Sequence, residues 1–260
     1  MKSTGTESQD GEARLNDFYG SNYYEGQVAG ALQSARIVLA VLFDLYRPDS
    51  VFDVGCGQGG WLAAAEELGA SRISGVDGPW VDSNKLVSKA IEFKAVDLET
   101  HFMPTEKFDL AISVEVAEHL SASRAKTFVK TLCAASDVVL FSAAIPQQGG
   151  VNHVNEQWQS FWAEMFSTDG FECFDLFRRN LWNDKRVESW YRQNLLLYVR
   201  RSHPLCENLR PYLANPHSLD IVHPEIYEGN LETFRRQIEN PSFRSCFHTI
   251  TRWFTRKLGF

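Results

Sequence analysis

The spacing of apolar residues changes repeatedly along the first two hundred positions, between the three- to four-residue repeat of a helix and short apolar runs. The helical repeats predict helices at 27–46, 61–68, 121–133 and 157–166. The runs predict strands at 50–54, 72–76, 91–96, 108–114, 137–142, 171–177 and 194–199. Strands that alternate with helices form βαβ units, so we expect an α/β fold with a doubly wound, mostly parallel seven-stranded sheet.

The end of the chain departs from this alternation. We expect only a short turn between the last two strands, which would then form an antiparallel pair at one edge of the sheet. Prolines after residue 200 interrupt any long element, and apolar residues at 243–258 recur on one helical face with basic residues on the others. The sequence therefore predicts a disordered leader at 1–16, one domain at 17–200, and a C-terminal helical extension at 201–260 that holds this basic amphipathic helix.

Composition and charge exclude several classes of protein. The 260 residues are 44% hydrophobic and 23% charged, as in an ordinary globular protein. A net charge of −7 disfavours nucleic acid as a partner, because proteins that contact many phosphates carry a basic surface. Five cysteines without a Cys-x-x-Cys pair disfavour both a disulfide framework and a zinc knuckle. The polar N-terminus lacks the apolar core of a signal peptide, and we expect a cytoplasmic protein.

A glycine-rich segment between a predicted strand and a predicted helix carries the strongest chemical signal. Gly55, Gly57, Gly59 and Gly60 let a ligand approach the backbone, and the helix N-terminus that follows favours an anion or a carboxylate. Gly55, Gly57 and Gly60 also fit the G-x-G-x-x-G spacing of dinucleotide sites, with Asp77 near the expected distance. This spacing alone is a weak signal, so the surrounding segments decide between the two interpretations.

The wider sequence resembles class I S-adenosylmethionine-dependent methyltransferases over most of residues 20–200. The segment Asp53-Val-Gly-Cys-Gly-Gln-Gly59 is similar to their first motif, which places an acidic residue two positions before the first glycine. Val76-Asp77 is similar to the acidic end of their second strand, Val96-Asp97-Leu98 to the acidic position near the adenine amine, and the run 108–120 to their fourth strand. The resemblance implies a Rossmann-like methyltransferase fold and methyl transfer from S-adenosylmethionine, which leaves S-adenosylhomocysteine.

The same resemblance implies which residues hold the donor: Asp53, Gly55, Cys56, Gly57, Gly59, Asp77, Gly78, Asp97, Leu98, Val114, Glu115 and Tyr24. Asp77 would bond the ribose hydroxyls, and Tyr24 would belong to an N-terminal lid over the donor. Two of these residues have a structural alternative, in which Asp53 only holds backbone amides of the glycine turn and Asp97 is only a turn residue.

Two histidines are the candidates for removing a proton from the acceptor, because imidazole exchanges protons near neutral pH. His119 follows the fourth strand, and His153 lies in the glycine-rich loop after the fifth. Loops at the carboxyl ends of the strands line the site in an open α/β sheet. We predict His153 as the general base, with Glu156 or Glu118 orienting it, and His119 as a second candidate. The alternative is that both histidines only stabilise their loops.

A metal-binding interpretation of the same segment also exists. Glu115, Glu118, His119 and His153 resemble the Glu-x-x-Glu-His set with a distant histidine that binds metal in small-RNA 2′-O-methyltransferases. Two carboxylates and two imidazoles could hold a divalent cation near an acceptor hydroxyl. Similar segments are common in metal-independent small-molecule methyltransferases, however, and the acidic charge argues against an RNA acceptor. We therefore assign no metal site from the sequence.

The sequence gives only indirect information about the acceptor. Segments at 142–158, 190–194 and 221–225 resemble a bacterial methyltransferase subgroup whose members often accompany polysaccharide or secondary-metabolite assembly. We therefore expect transfer to an oxygen, less often a nitrogen, of a small molecule such as a sugar or natural-product intermediate. The alternatives are a non-catalytic S-adenosylmethionine-binding scaffold or regulatory module, and a metal-dependent RNA ribose 2′-O-methyltransferase. The C-terminal helix would suit peripheral membrane contact or a homodimer.

Overall fold

The computed structural model describes residues 21–240, with the backbone alone for 21–29 and for residue 237. The predicted leader at 1–16 and the predicted basic helix at 243–260 therefore lie outside the described residues. The helices are α1 (Ser21–Phe43), α2 (Gly60–Glu67), α3 (Ala125–Ala135), α4 (Gln159–Thr168), α5 (Leu176–Leu181), α6 (Ser189–Asn194), α7 (Leu205–Leu209) and α8 (Pro224–Glu239). The strands are β1 (Ser50–Val54), β2 (Arg72–Asp77), β3 (Glu92–Ala95), β4 (Leu110–Val114), β5 (Val138–Ser142), β6 (Phe171–Phe174) and β7 (Leu196–Arg200).

The seven strands form one sheet in the order β3-β2-β1-β4-β5-β7-β6. Strand β7 runs antiparallel to both of its neighbours, and the other paired strands are parallel. This is the Rossmann-like methyltransferase fold, and the predicted doubly wound α/β sheet is confirmed. The registers pair Val54 with Val76 and Val114 with Ser142, so the carboxyl ends of β1, β2, β4 and β5 meet at one edge.

The predicted short turn between the last two strands is wrong. Helices α5 and α6 lie between β6 and β7. The apolar run that predicts a strand at 171–177 continues beyond β6 because Leu176 and Phe177 are buried on α5. The Asp175 carboxylate accepts two hydrogen bonds from Arg178, at 2.8 and 2.9 Å, and fixes the point where the strand gives way to the helix.

Helices cover both faces of the sheet and bury a separate apolar layer on each. Strand β5 shows the alternation, since Val138 and Leu140 face one layer while Val139 and Phe141 face the other. The first layer includes residues of α1, α2, α5, α6 and α7. The second includes residues of α3 and α4, among them the fully buried Phe128 and Trp162. Both faces are therefore closed, and ligands reach the sheet at the carboxyl edge of the strands.

The chain divides into two compact units, one up to Ile221 and one from Val222. Residues that follow β7 still belong to the first unit, because Leu205 and Leu209 of α7 are buried in its core. In the second unit the described structure is mainly α8, whose N-terminus is capped by the His223 imidazole accepting from the Glu225 amide. None of the helices in 21–240 is both long and apolar enough to span a membrane.

Replacing Tyr198 by phenylalanine should not destabilise the fold. Its ring stacks on Phe166 with centroids 3.9 Å apart, while its buried hydroxyl has only the Cys173 thiol beside it, a weak acceptor. We expect Tyr198→Phe to leave the free energy of unfolding within about 1 kcal/mol of wild type or above it. Tyr198→Ala, the control, should lower it by about 3–5 kcal/mol. Urea denaturation measures both, and a larger loss in Tyr198→Phe would contradict this assignment.

Candidate donor and acceptor site

The turn between β1 and α2, residues 55–60, is held in a backbone conformation that favours glycine. Gly55, Gly57 and Gly59 have φ angles of +89°, +52° and +82°. A Cβ on Gly55 would lie 2.4 Å from Cγ2 of Val116, so the protein itself requires a glycine there. A Cβ on Gly57 would meet no atom within 4 Å. The backbone at Gly57 therefore faces open space that a ligand can fill.

The carboxylate of Asp77 ties the end of β2 to this turn. It accepts the Gly57 amide at 2.7 Å and the Gly78 amide at 2.6 Å. Burial raises the pKa of Asp77, and these two amides oppose that rise by stabilising the charge. The amides of Gly55 and Cys56 donate to the Val76 carbonyl. The backbone amides of Gly55, Cys56 and Gly57 therefore hold the turn in place and are not left to bind a ligand.

Asp53 is buried at the carboxyl half of β1, and its surroundings disfavour charge. Burial raises its pKa well above the usual range, and the charge of Asp77 adds to this effect. The amides of Gly55, Cys56 and Gly57 donate to Val76 and Asp77, so they are not held by Asp53. The structural alternative for Asp53 thus loses three of the amides that it would need.

The other residues predicted to bind the donor lie around the same edge of the sheet and differ in how deeply they are buried. Cys56 and Leu98 are buried, Val114 is half-buried at the end of β4, and Gly59 precedes α2 as its N-cap. Gly78 lies beneath Trp80, whose ring carbons would be 2.2 Å from an added Cβ. Exposed Asp97 accepts the Glu99 amide at 2.9 Å, which is the turn contact of its structural alternative. The side chain of Tyr24 lies outside the described residues.

Glu115 directly follows β4 and has a φ of +54°, which is uncommon for a residue other than glycine. Its amide donates to the Ser142 carbonyl at 3.1 Å, and its carboxylate accepts from the side-chain amides of Asn194 and Gln148, each at 3.1 Å. Burial raises its pKa, and hydrogen bonds from Ser142, Asn194 and Gln148 oppose the rise. Glu115 is therefore fixed by residues from two distant segments.

Gln148 and Asn194 are site residues that the sequence analysis missed. Gln193 joins them, donating from Nε2 to the Oε1 of Gln148 at 3.0 Å, and both Gln193 and Asn194 are almost completely buried. The sequence places two adjacent side-chain amides, Gln193 and Asn194, directly before the apolar run of β7. Buried polar side chains need hydrogen-bond partners, so this pair could have indicated the contact with Gln148 and Glu115.

We call Glu118, His119, His153 and Glu156 the histidine cluster, because the structure brings these four predicted catalytic candidates together. One ligand atom from each of Glu118, His119 and His153 lies within 4.8 Å of the other two. The two imidazole rings meet edge to face, with centroids 4.8 Å apart. Val116, between Glu115 and Glu118, also lies against the glycine turn, so the cluster adjoins the predicted donor site.

Glu156 is the residue that orients His153. Its carboxylate contacts Nδ1 of His153 at 3.0 Å and accepts the amides of Gln147 at 2.7 Å and Gly149 at 3.1 Å. The Glu118 carbonyl accepts the amides of Val154 and Asn155 and fastens the loop to the segment after β4. The other predicted partner, the Glu118 carboxylate, makes no hydrogen bond to His153.

Glu118 and His119 are both perturbed by their surroundings. Glu118 is completely buried, and neither carboxylate oxygen makes a hydrogen bond of standard geometry. Burial and the nearby charge of Glu115 raise its pKa well above the usual range, while the amides of Glu118 and Ala144 oppose the rise. The His119 ring is exposed at one side and enclosed at the other. This enclosure, and then the charge of His153, lower its pKa, opposed by a hydrogen bond to the Asn152 backbone.

Comparison with known protein families identifies the family of this chain. The family model described as a methyltransferase domain matches residues 24–180, which contain the glycine turn and the whole histidine cluster. The chain belongs to this methyltransferase family. This is the predicted family, class I S-adenosylmethionine-dependent methyltransferases, and the donor that its homologues bind is the one predicted from the first motif.

Relatives and similar structures agree with the fold. The methyltransferase is 25% identical over 143 residues to the ribosomal protein L11 methyltransferase of Methylobacillus flagellatus, covering 53% of this chain and 47% of that protein. The chain thus spans about half the length of this curated relative.

Among solved structures, the complex of the Haloferax volcanii Trm112 activator with a methyltransferase has a TM-score of 0.53 at 15% identity, covering 70% of this chain and 95% of that one. The methyltransferase domain of a bacterial CtHen1 protein has a TM-score of 0.50 at 18% identity, covering 65% and 98%. Both structural similarities show the fold alone.

Alanine at Gly57 should weaken donor binding without unfolding the methyltransferase. Both Gly57 and Gly69 have positive φ angles and open space around the added Cβ, but only Gly57 lies in the predicted donor site. Each Gly→Ala change should cost about 1–2 kcal/mol of stability. We expect Gly57→Ala to weaken S-adenosylhomocysteine binding at least about tenfold in calorimetry, and Gly69→Ala to leave the affinity unchanged. Equal affinities for the two variants would remove Gly57 from the donor site.

Proposed function

We propose that this methyltransferase transfers the methyl group of S-adenosylmethionine to a hydroxyl oxygen of a small polar acceptor, of the kind found in saccharides and natural-product intermediates. The observation that carries this proposal is the fixed His153–Glu156 pair on the loop after β5, next to the segment that contacts the glycine turn. An imidazole oriented by a carboxylate is suited to accept a proton from a hydroxyl group.

The donor would bind at the carboxyl ends of β1 and β2. The open space at Gly57 admits a ligand to the backbone, and the Asp77 carboxylate retains lone pairs for ribose hydroxyls beyond the two amides that it accepts. Asp53, Gly55, Cys56, Gly59 and Gly78 shape this end, and Leu98, Val114 and Glu115 belong to its other side. The sulfonium supplies an already activated methyl group, so the main task of the protein is to align the acceptor with it.

His153 would act as the general base. With Nδ1 held by Glu156, its Nε2 is the nitrogen left to take the acceptor proton. Three contacts to the Glu156 carboxylate keep the ring in one orientation. The acceptor oxygen would bond to the methyl carbon as the carbon–sulfur bond breaks, with the bonding electrons left on sulfur, and His153 would take the hydroxyl proton on Nε2 and pass it to solvent. His119, edge to face with His153, would position the ring.

A polar acceptor is favoured by the side chains around the cluster. The half-buried Glu115 and Gln148 place a carboxylate and an amide at the carboxyl edge of β4, where hydroxyl groups can exchange hydrogen bonds with them, while the buried Asn194 holds Glu115. The net charge of −7 disfavours nucleic acid. These features support a hydroxyl-rich small molecule over an RNA and over a purely apolar metabolite.

Removing the base should slow methyl transfer without weakening donor binding. We expect His153→Ala to lower kcat by about 10²–10⁴-fold, and Glu156→Gln by less, because the ring then loses only its orientation. His217→Ala, on an exposed turn, is the control. Release of S-adenosylhomocysteine across a panel of sugars and polyols gives kcat, and calorimetry gives the donor affinity.

Unchanged kcat in His153→Ala would remove this residue from the mechanism. Donor binding by the wild type without product release from any acceptor would instead favour the non-catalytic scaffold.

Metal-assisted methyl transfer is the second candidate, and the Glu118 carboxylate favours it. Both of its oxygens are buried without a hydrogen bond of standard geometry, and one of them lies within 4.8 Å of ligand atoms of His119 and His153. Each imidazole also has a second contact that would orient it toward a cation: Glu156 for His153 and the Asn152 backbone for His119. Glu115, the fourth residue of the set that resembles the metal ligands of small-RNA methyltransferases, is already bound by Asn194 and Gln148. A divalent cation would be held by Glu118, His119 and His153, and would acidify a coordinated hydroxyl.

Metal binding can be measured apart from activity. If the cluster holds a cation, the dialysed wild type should bind one Mn²⁺ or Zn²⁺ ion, and Glu118→Gln should weaken that binding at least about tenfold. Glu164→Gln, an exposed carboxylate on α4, is the matched control. Calorimetry and elemental analysis give the affinity and the stoichiometry. Equal binding by the two variants, or none by the wild type, would leave the metal-free base mechanism. A bound metal would reopen the RNA ribose alternative.

A further inference from the structure

Helix α8, in the second unit of the chain, exposes a stripe of large apolar side chains. Tyr227, Leu231, Phe234 and Ile238 are exposed by 58%, 39%, 55% and 77% of their surface. Their spacing of four, three and four residues places them along one side of the helix, as in the apolar seam of a pair of packed helices. Scattered apolar residues on a surface need no explanation, but a continuous stripe over the whole helix does.

The rest of α8 does not bury an alternative face. Among its described side chains, Ile226 and Asn230 are half-buried and the others are exposed. Most of the stability of a helix in a protein comes from packing an apolar face, and isolated helices of this length are marginal in water. A 16-residue helix with its apolar stripe in solvent therefore needs a partner on that stripe.

We propose that α8 pairs with α8 of a second copy of this chain in an antiparallel arrangement. In that arrangement Leu231 lies opposite the partner's Phe234, and Tyr227 lies opposite the partner's Ile238. A two-fold axis between residues 232 and 233 generates each contact twice, as an isologous interface requires. The stripe is thereby buried from Tyr227 to Ile238, along most of the helix.

Charged residues beside the stripe favour a second copy of the chain as the partner and an antiparallel arrangement of the two helices. Glu228 and Arg235 occupy equivalent positions along the seam, one heptad apart, and in an antiparallel pair Glu228 faces the partner's Arg235 on both sides of the axis. In a parallel pair Glu228 would lose this contact, because Arg235 would face the partner's Asn230 instead. The polar side of α8 carries Glu225, Glu232 and Glu239, so the helix is a poor match for an anionic lipid surface.

Charge reversal at this pair tests the proposal with the full-length protein. The wild type should change from 29.6 kDa to twice that mass in sedimentation experiments as its concentration rises between about 1 and 200 µM. Glu228→Arg and Arg235→Glu should each remain monomeric, because each places like charges opposite one another. An equimolar mixture of the two variants should dimerise at least about tenfold more tightly than either alone.

Two further variants keep the result interpretable. Glu239→Arg makes the same change in net charge away from the seam and should dimerise like the wild type. Leu231→Glu should stay monomeric, and its α8 carries no residue of the donor site, so its S-adenosylhomocysteine affinity should equal that of the wild type. A wild-type monomer throughout the range would overturn the proposal and mean that another molecule or segment covers the stripe. So would a dimer that the charge reversals leave intact, or variants that fail to dimerise when mixed.

Discussion

The hydrogen bond from the Gly57 amide to the Asp77 carboxylate, 2.7 Å long, is the contact on which the donor end of the site depends. It joins the turn after β1 to the end of β2, and the donations from Gly55 and Cys56 to the Val76 carbonyl fix the same junction a second time. With the turn held in this way, Gly57 faces open space while Gly55 packs against Val116. The cost of burying Asp77 is offset in part by the amides that it accepts.

The proposed acceptor end is fixed in a similar way, by contacts between the ends of β4 and β5. Glu115 leaves β4 in an uncommon backbone conformation, and its amide contact with Ser142 joins β4 to β5. The carbonyl of Glu118 then fastens the loop after β5, which carries His153 and Glu156. Val116 lies between these acidic residues and the glycine turn, so the two ends of the site share one short segment.

Local apolar patterns predicted the seven strands and the alternation with helices, but not the order of the strands in the sheet. β1 was predicted at its observed bounds, and the glycine turn was predicted because glycine spacing is a local property. The contacts of Glu115 with Gln148 and Asn194 join residues 33 and 79 positions apart, which local spacing does not report. The predicted turn between β6 and β7 was wrong because an apolar run is compatible with a strand or with a buried helix. The burial of the Glu118 carboxylate without a standard hydrogen bond, and the exposure of the apolar stripe on α8, both depend on long-range packing, which local spacing does not report.

The central claim is that the crevice at the carboxyl ends of β1 and β2 is built for an adenosyl sulfonium compound. Equilibrium titration of the purified full-length protein with S-adenosylmethionine, S-adenosylhomocysteine and NADH tests it most directly, because the glycine spacing alone is compatible with both kinds of ligand. The account predicts saturable binding of the first two compounds at one site and no measurable uptake of NADH. Tight NADH binding with no affinity for S-adenosylmethionine or S-adenosylhomocysteine would contradict it.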